Sequence, residues 1–304
     1  MHKPLVELFI KASSVDPGDK GACPFSQKWF MIFYLFVERK AINLRVIPVS
    51  SANPPTEYLS LDMGKQLPAV AFYTEGNDDL DVGSVQPESV HTGNDELELF
   101  CKQRFASQIN IDVTEQWVGA DLLRSLNHFL RTGSDQQMLA NLTAINDHLL
   151  NARTTFLEGN DVSYSDCVLS CKLHHVRVAA SFFRGFTIPE DLQYVWSYLK
   201  AIYSTRVFDV SCPLDRDILL HYLEKVEFTS QEARNQAHHE IIILPQERKT
   251  TFISANGPNA VNGVPRLRSS GVKLTVNKVM PAMEYDKSVG DRLSKFYGMA
   301  LEKT

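Results

Sequence analysis

Features that would place the chain in a functional class are scarce or missing from its 304 residues. The five cysteines are an odd number and are spread thinly, which argues against a disulfide framework and for a reducing compartment. No apolar core of signal-peptide length precedes Lys11, so export is not expected. The longest uncharged apolar run, residues 29–37, has about half of the roughly 20 residues that a membrane-spanning helix needs.

An excess of positive charge is missing as well. The formal net charge of -5 gives no general attraction for nucleic acid or for an anionic membrane surface, so we expect no nucleic-acid partner. Hydrophobic residues make up 44% of the chain and charged residues 22%, the balance of a soluble globular protein. A chain of this length has room for two domains.

Residues 1–104 alternate between strand and helix patterns. The segments 5–12, 41–49 and 69–73 are rich in strand-forming residues. After the first of them, Pro24 stands where the first residue of a helix is expected, and nothing interrupts that helix before about residue 40. This order of elements predicts a thioredoxin-like α/β domain.

The rest of the chain shows different patterns. In 105–228, apolar residues recur three and four apart, which predicts an all-helical domain. Within it, Ser163 and Asp166 precede an apolar helical run and predict a capping box. The polar, acidic stretch 77–93 is expected to be a solvated loop. Residues 229–304 are expected to be a largely disordered extension with short ordered pieces.

The motif Cys23-Pro24-Phe25-Ser26 places a thiol at the predicted start of the first helix. Free backbone N–H groups and the helix dipole stabilise a thiolate there, the reactive form of cysteine. Ser26 stands where a second cysteine would resolve an internal disulfide, so a redox site needs an external thiol, and glutathione is the natural supply in a reducing cytosol. The alternative is an inert thiol. The Leu67-Pro68 bond before the third strand, which is eligible for the cis form, brings the two interpretations level.

A second cysteine cluster raises the question of a metal site. Cys167, Cys171, His174 and His175 lie on one predicted helix, and the first three share a face that could bind zinc. That face of a central helix should be core, however. Buried cysteines and hydrogen-bonded histidines explain the spacing more simply, and we predict no metal site.

Charge interrupts the apolar run behind Cys23. Glu38, Arg39 and Lys40 follow it directly, and each such charge costs about 2.5–3.5 kcal/mol at the centre of a spanning helix. Burial between a sheet and a helical domain explains the run at lower cost. The sequence therefore favours a soluble fold in which the run is core.

Four blocks of sequence, in order, resemble the chloride intracellular channel (CLIC) family: GACPFSQKWFM, KQLPAVAF, DCVLSCKLHHVRV and FRGFTIPEDLQYVWSYLKAIYSTRVFDVSCPLDRDI. The resemblance runs from about residue 5 to about residue 228, and the last block is much more specific than CPFS alone. The pair His174-His175 is reminiscent of invertebrate members. The resemblance implies a glutathione-transferase-like fold, with a thioredoxin-like domain followed by an all-helical one.

The resemblance also implies a glutathione site. The reactive cysteine of the family falls on Cys23, and its glutathione-contacting lysine falls on Lys11. Leu67-Pro68 matches the Leu-Pro before the third strand, Phe25 the aromatic residue beside the thiol, and Thr92 the threonine that opens the third helix. The segment proposed to insert into membranes corresponds to roughly 23–49.

Gly93 departs from the family pattern. The family has a Thr-Asp pair at the start of the third helix, where the acid holds the amino-acid end of glutathione, whereas this chain has Thr92-Gly93. The carboxylate is missing unless Asp95 or Asp81 substitutes for it. The departure weakens the expectation that glutathione is bound and that the protein is an enzyme.

Three functional hypotheses follow. The first is a cytoplasmic protein that associates reversibly with membrane lipid and forms or regulates a chloride conductance. The second is a glutathione-dependent, monothiol glutaredoxin-like oxidoreductase with Cys23 as nucleophile. The third is a non-catalytic scaffold that uses its fold and its extension to bind cytoskeletal or other protein partners, and Gly93 is its main support.

Overall fold

The computed structural model describes residues 3–64, 66–74, 85–111, 118–244 and 272–274. The strands of this part are β1 (Leu5–Lys11), β2 (Asn43–Val49), β3 (Ala69–Tyr73), β4 (Ser89–Thr92) and β5 (Val272–Leu274). The helices among the strands are α1 (Pro24–Glu38), α2 (Thr56–Ser60) and α3 (Gly93–Arg104). The helices that follow are α4 (Leu122–Thr132), α5 (Gln136–Ala152), α6 (Tyr164–His175), α7 (Ser181–Arg184), α8 (Gln193–Tyr203), α9 (Arg206–Ser211), α10 (Asp215–Leu223) and α11 (Gln231–Ile242).

The strands form one mixed sheet in the order β4-β3-β1-β2-β5. Strand β1 pairs in parallel with β2 and antiparallel with β3, which in turn pairs antiparallel with β4. With α1 crossing between the parallel strands, this is the predicted thioredoxin-like arrangement, and the all-helical part after it is confirmed as well.

The prediction of a loop over 77–93 is wrong at its end, because Ser89–Thr92 forms β4. Its four residues are all only half-buried, and their pairing with β3 holds them in the sheet. The preceding stretch, 75–84, lies outside the described residues.

Helix α1 is buried on all sides. Every residue from Ser26 to Phe36 is buried, which is how a helix that is apolar all round is stabilised in a globular protein. It packs against the sheet on one side and against α6 and α9 of the helical part on the other. The prediction that this apolar run is core is confirmed. Among the described residues, no helix is long and apolar enough to cross a membrane.

Helix α6 starts at the predicted capping box. The Ser163 side chain accepts from the Asp166 N–H, and the Asp166 carboxylate accepts from the Ser163 N–H at 2.9 Å. At its other end α6 runs without a break into a π-helical turn, Val176–Ala180, and then into α7. The combined rod lies at the centre of the helical part, in contact with α1, α4, α8 and α10.

The expected disorder of 229–304 does not describe its first part. Helix α11 packs against α10 and buries Ile241, and Leu244 is buried just after it. Val272–Leu274 pairs in parallel with β2. These are ordered pieces within the extension. Residues 245–271 and 275–304 lie outside the described residues, and the predicted boundaries at 104 and 228 stay predictions.

Candidate functional site

Cys23 is the residue immediately before the first turn of α1. It has an extended backbone (φ -96°, ψ 115°), Pro24 is at the start of the helix, and the sulfur makes no capping hydrogen bond. The Cys23 thiol is half-buried, whereas the other four cysteines are buried. Phe25, the next residue but one, is 54% exposed. The thiol predicted to be reactive is therefore the most accessible one in the protein.

The loop that carries Cys23 is fastened to the end of β1. The Gly21 N–H donates to the Lys11 carbonyl at 2.7 Å, and a side chain at Gly21 would place its Cβ only 2.2 Å from the Ala12 carbonyl oxygen. Only glycine permits this approach. The Lys11 N–H donates to Ser26 Oγ at 3.2 Å. Ser26, at the position of a resolving cysteine, thus joins β1 to α1, and the Lys11 side chain remains exposed.

The Leu67-Pro68 bond is cis, which confirms that this bond adopts the form for which it was eligible. Phe9 pairs with Ala69 across the sheet, so Leu67-Pro68 lies level with the last residues of β1, at the end of the sheet from which the Cys23 loop departs. The Pro68 carbonyl accepts from the Gly93 N–H at 2.9 Å. This bond joins the segment to the start of α3.

The backbone at the start of α3 suits the glycine found there. Gly93 has φ +76°, a left-handed conformation that side-chain-bearing residues adopt only with strain, and a Cβ there would lie 2.9 Å from Gln66 Oε1. Thr92 caps the helix by position, and its N–H donates to Glu96 Oε2 at 2.7 Å. Asp95 is in the first turn and exposed, and Asp81 lies outside the described residues.

Glutathione is an expected ligand of this site, and the residues present match its two ends unequally. The thiol end of the site, with Cys23 beside Lys11 and the Leu67-Pro68 segment, has the predicted residues at one end of the sheet. The amino-acid end lacks the expected acid, because Gly93 carries no carboxylate and has a left-handed backbone. The fit is therefore partial.

Helix α10 brings further groups to the Cys23 loop that the motifs did not indicate. Ser13, two residues beyond β1, donates through its hydroxyl to the Asp217 carboxylate. One turn further along α10, His221 Nε2 lies 3.1 Å from Lys225 Nζ. Burial, then Lys225, then Lys11 lower the pKa of His221 to about 4. The four-residue spacing of Asp217, His221 and Lys225 could have indicated from the sequence that they share one side of a helix.

A buried cation joins the two parts of the molecule. Lys28, on α1, is only 5% exposed, and its Nζ donates to Tyr164 OH at 3.0 Å and to Asn94 Oδ1. Glu98 Oε1 lies 3.4 Å from the same nitrogen and accepts from Tyr164 OH at 2.6 Å. Burial lowers the pKa of Lys28, against the opposing effect of Glu98. Lys28 was not identified from sequence.

The cluster on α6 is a packing feature. Cys167 and Cys171 are buried, His174 Nδ1 lies 2.9 Å from Tyr203 OH, and His175 Nδ1 lies 3.1 Å from Tyr222 OH. Within the described ranges, no group of three or more candidate side chains is placed to hold a metal ion. The prediction of buried cysteines and hydrogen-bonded histidines is confirmed.

Comparison with known proteins identifies the relatives of this chain. Residues 4–83 match the CLIC-like N-terminal domain. The chain is 33% identical over 257 residues to the chloride intracellular channel Clic of Drosophila melanogaster, covering 82% of this chain and 90% of the relative. It is 27% identical over 275 residues to the chloride intracellular channel exc-4 of Caenorhabditis elegans, covering 81% and 89%.

Solved structures agree with the sequence relatives. The crystal structure of the CLIC homologue EXC-4 from C. elegans superposes with a TM-score of 0.61 at 28% identity, over 77% of this chain and 91% of that one. Dehydroascorbate reductase from Chlamydomonas reinhardtii has the same fold, with a TM-score of 0.55 at 19% identity over 73% and 98%. A trimeric glutathione transferase from Leishmania, TDR1, gives 0.53 at 12% identity over 77% and 51%. The fold is glutathione-transferase-like, and the chain belongs to the chloride intracellular channel family.

Proposed function

We propose that the protein is a monothiol oxidoreductase in which Cys23 exchanges disulfides with small thiols such as glutathione. The observation that supports this proposal best is the position of Cys23, half-buried directly before the first turn of α1 while every other cysteine is buried. A helix N-terminus favours the thiolate, and thiolates are the attacking species in disulfide exchange.

The exchange needs one residue of this chain, Cys23, and an external thiol. The Cys23 thiolate attacks one sulfur of a disulfide, forms a mixed disulfide and releases the other half as a thiolate. A second small thiolate then attacks the non-protein sulfur of the mixed disulfide and restores Cys23. Ser26 cannot compete for the mixed disulfide, because its hydroxyl accepts from the Lys11 N–H and carries no sulfur. An external thiol must complete the cycle.

The test is a pair of cysteine variants. Cys23→Ser should abolish glutathione-dependent reduction of a small disulfide, and mass spectrometry after incubation with oxidised glutathione should find the mixed disulfide on Cys23. Cys101→Ala, which removes a buried thiol, should retain activity. Unchanged activity in Cys23→Ser would rule out the mechanism, and a folded protein that forms no adduct would favour the scaffold hypothesis.

A second candidate function comes from the family. The two relatives are named chloride intracellular channels, and we propose that this chain also associates reversibly with membranes from the cytoplasm and forms or regulates a chloride conductance. The proposal requires refolding of the first domain, since α1 is buried between the sheet and α6. Release of α1 would break the contacts of Lys28 with Tyr164.

Chloride efflux from vesicles reconstituted with pure protein measures this function directly. We expect efflux to increase at acidic pH, where protonation of the buried His175 weakens the fold, and the same measurement is made after oxidation. Vesicles with no protein measure leakage. Vesicles whose interior holds a cation but no chloride measure selectivity, because any efflux from them is not efflux of chloride. Efflux equal to that of the protein-free vesicles under both conditions would refute a channel role.

A further inference from the structure

Strand β2 has an outer edge that faces away from β1. The Asn43 N–H donates to the Pro4 carbonyl at 2.8 Å, and the Val49 carbonyl accepts at 3.0 Å from the N–H of the residue that follows β1. Asn43 and Val49 therefore face β1. Because the backbone groups of successive residues in a strand point to opposite edges, the N–H and C=O groups of Leu44 and Val46 point to the outer edge.

Pro48 limits the part of this edge that can pair. Proline has no N–H, so within Asn43–Val49 the outer edge offers only the N–H groups of Leu44 and Val46. An uncovered edge is a template for a strand from another chain, and native proteins protect such edges with proline or with a covering segment. In β2, Pro48 protects one end of the edge, and the stretch 44–46 is left for a covering segment.

The C-terminal extension covers this stretch. Residues 272–274, which form β5, run parallel to β2 and lie level with residues 44–46. The pairing thus ends before Pro48, where the edge has no further donor. The sequence VKLTV at 272–276 alternates apolar and polar residues within a region otherwise rich in Gly, Pro, Asn and Ser, which favours a strand at this place.

The extension is also held to the helical part of the molecule. Helix α11 packs against α10, and Leu244 is buried just after α11. A fully extended chain with the length of 245–271 reaches about 90 Å, so the connection to β5 is long enough. A tethered segment has an effective concentration on the order of millimolar at its site, which favours the chain's own strand over that of a second copy.

We propose that the outer edge of β2 is a strand-binding site and that residues 272–274 of the same chain mask it. A strand of another chain can then pair with β2 only after the extension has left. The extension is fixed to the helical part through α11 and to the sheet through β5. This role of the extension goes beyond both proposed functions, because it depends neither on Cys23 nor on a membrane.

Backbone groups make the masking contact. In a parallel ladder, a residue that bonds to the neighbouring strand lies opposite one that does not. Arg45 faces β1, as Asn43 and Val49 do, so its opposite residue, Lys273, is expected to direct its N–H and C=O towards β2. Proline at 273 would remove that N–H, whereas alanine would keep it.

Residue-resolved amide hydrogen exchange measures the two edges of β2 separately. In the unaltered protein, the Leu44 and Val46 amides should be protected, like those of Asn43 and Arg45. Lys273→Pro should raise the exchange rates of Leu44 and Val46 by at least about tenfold and leave the amides that face β1 unchanged. Lys273→Ala is the matched control and should keep the wild-type rates.

Three results would overturn the inference. The first is rapid exchange of Leu44 and Val46 in the unaltered protein, and the second is protection of both amides that Lys273→Pro does not change. The third is protection that is lost on dilution, since the covering strand would then come from a second copy. The amides that face β1 show in the same spectra that each variant is folded.

A peptide tests whether the edge binds a separate strand. The peptide SSGVKLTVN, residues 269–277, added to Lys273→Pro at millimolar concentration should restore protection to Leu44 and Val46, because the tethered segment acts at a concentration of that order. The same peptide should leave the unaltered protein unchanged, since its edge is already covered. Failure to restore protection would refute the strand-binding site.

Discussion

At residue 93, the backbone angle φ favours glycine, which has no side chain to contact a ligand. With φ +76°, a side chain there costs about 1 kcal/mol of backbone strain. The neighbouring Glu96 carboxylate supplies the cap that the helix start requires. The glycine at this position is therefore tied to the local backbone.

Gly93→Ala should lower the free energy of unfolding by about 1 kcal/mol, the cost of a left-handed alanine. The close approach to Gln66 Oε1 adds little, because that atom is the end of a flexible side chain. Urea denaturation measures the change. Gly133→Ala is the matched control, since Gly133 has φ +78° and nothing near its missing Cβ. A loss at Gly93 several times that at Gly133 would show that Gln66 cannot move.

The sequence indicated single site residues better than their partners. The place of Cys23 before a helix was predictable from Pro24, and Leu67-Pro68 adopts the cis form for which an X-Pro bond is eligible. The contact of Lys28 with Tyr164 was not predictable, because it depends on how α1 and α6 pack after folding. No local pattern carries that orientation.

Among the elements, α1 combines an apolar surface with one buried ammonium group. Lys28 lies near the start of the apolar run, and its partners Asn94, Glu98 and Tyr164 come from α3 and α6. The run was correctly predicted to be core. The sequence did not reveal that the same helix carries a polar contact between the two parts of the molecule.

Lys28→Met should lower the free energy of unfolding by about 2 kcal/mol, since it leaves the half-buried Glu98 carboxylate and Tyr164 without their cation. Thermal or urea unfolding measures the loss. Arg104→Met is the control. It breaks the ion pair with Glu88, both side chains of which are 45% exposed, and should cost about 0.5 kcal/mol or less. A more stable Lys28→Met protein would mean that the cost of burying the ammonium group exceeds the value of its contacts.

Two elements escaped prediction for a common reason. Strand β4 and helix α11 are short and polar. Their apolar residues form neither the alternation that predicts a strand nor the spacing that predicts a helix. Strand β4 is held by pairing with β3, and α11 is held by packing against α10. Tertiary contacts override weak local preferences in both.

For the whole molecule, buried histidines couple stability to pH. Burial, followed by the nearby charges of His221 and Lys225, lowers the pKa of His175 to about 3 from its ordinary 6.5. Below pH 6.5 the unfolded chain binds a proton at this residue that the folded protein does not bind. The free energy of unfolding should therefore fall as the pH drops from 6.5 towards 3, by about 1.4 kcal/mol per pH unit from such a histidine.

His175→Asn should reduce this pH dependence, because asparagine does not titrate. Denaturant unfolding at several pH values between 4 and 6.5 gives the slope for each protein. Carboxylates and His221, whose pKa is lowered to about 4, also contribute to the slope and account for the part that remains in the variant. His148→Asn, at an exposed position of α5, is the matched control for the substitution itself. An unchanged slope in His175→Asn would show that His175 is protonated in the folded protein.

The π-helical turn at Val176–Ala180 is a place where the central rod can lose one residue and stay helical. A π-helical turn holds one residue more than an α-helical turn, so deletion of a single residue there would leave an ordinary α-helix with both flanking faces in their present directions. The same deletion within α6 would rotate every later side chain by about 100° and turn His174 and His175 away from their tyrosines. The rod thus has one turn at which the loss of a residue keeps the directions of the flanking helices, and Arg177 is the residue of that turn that is not fully buried.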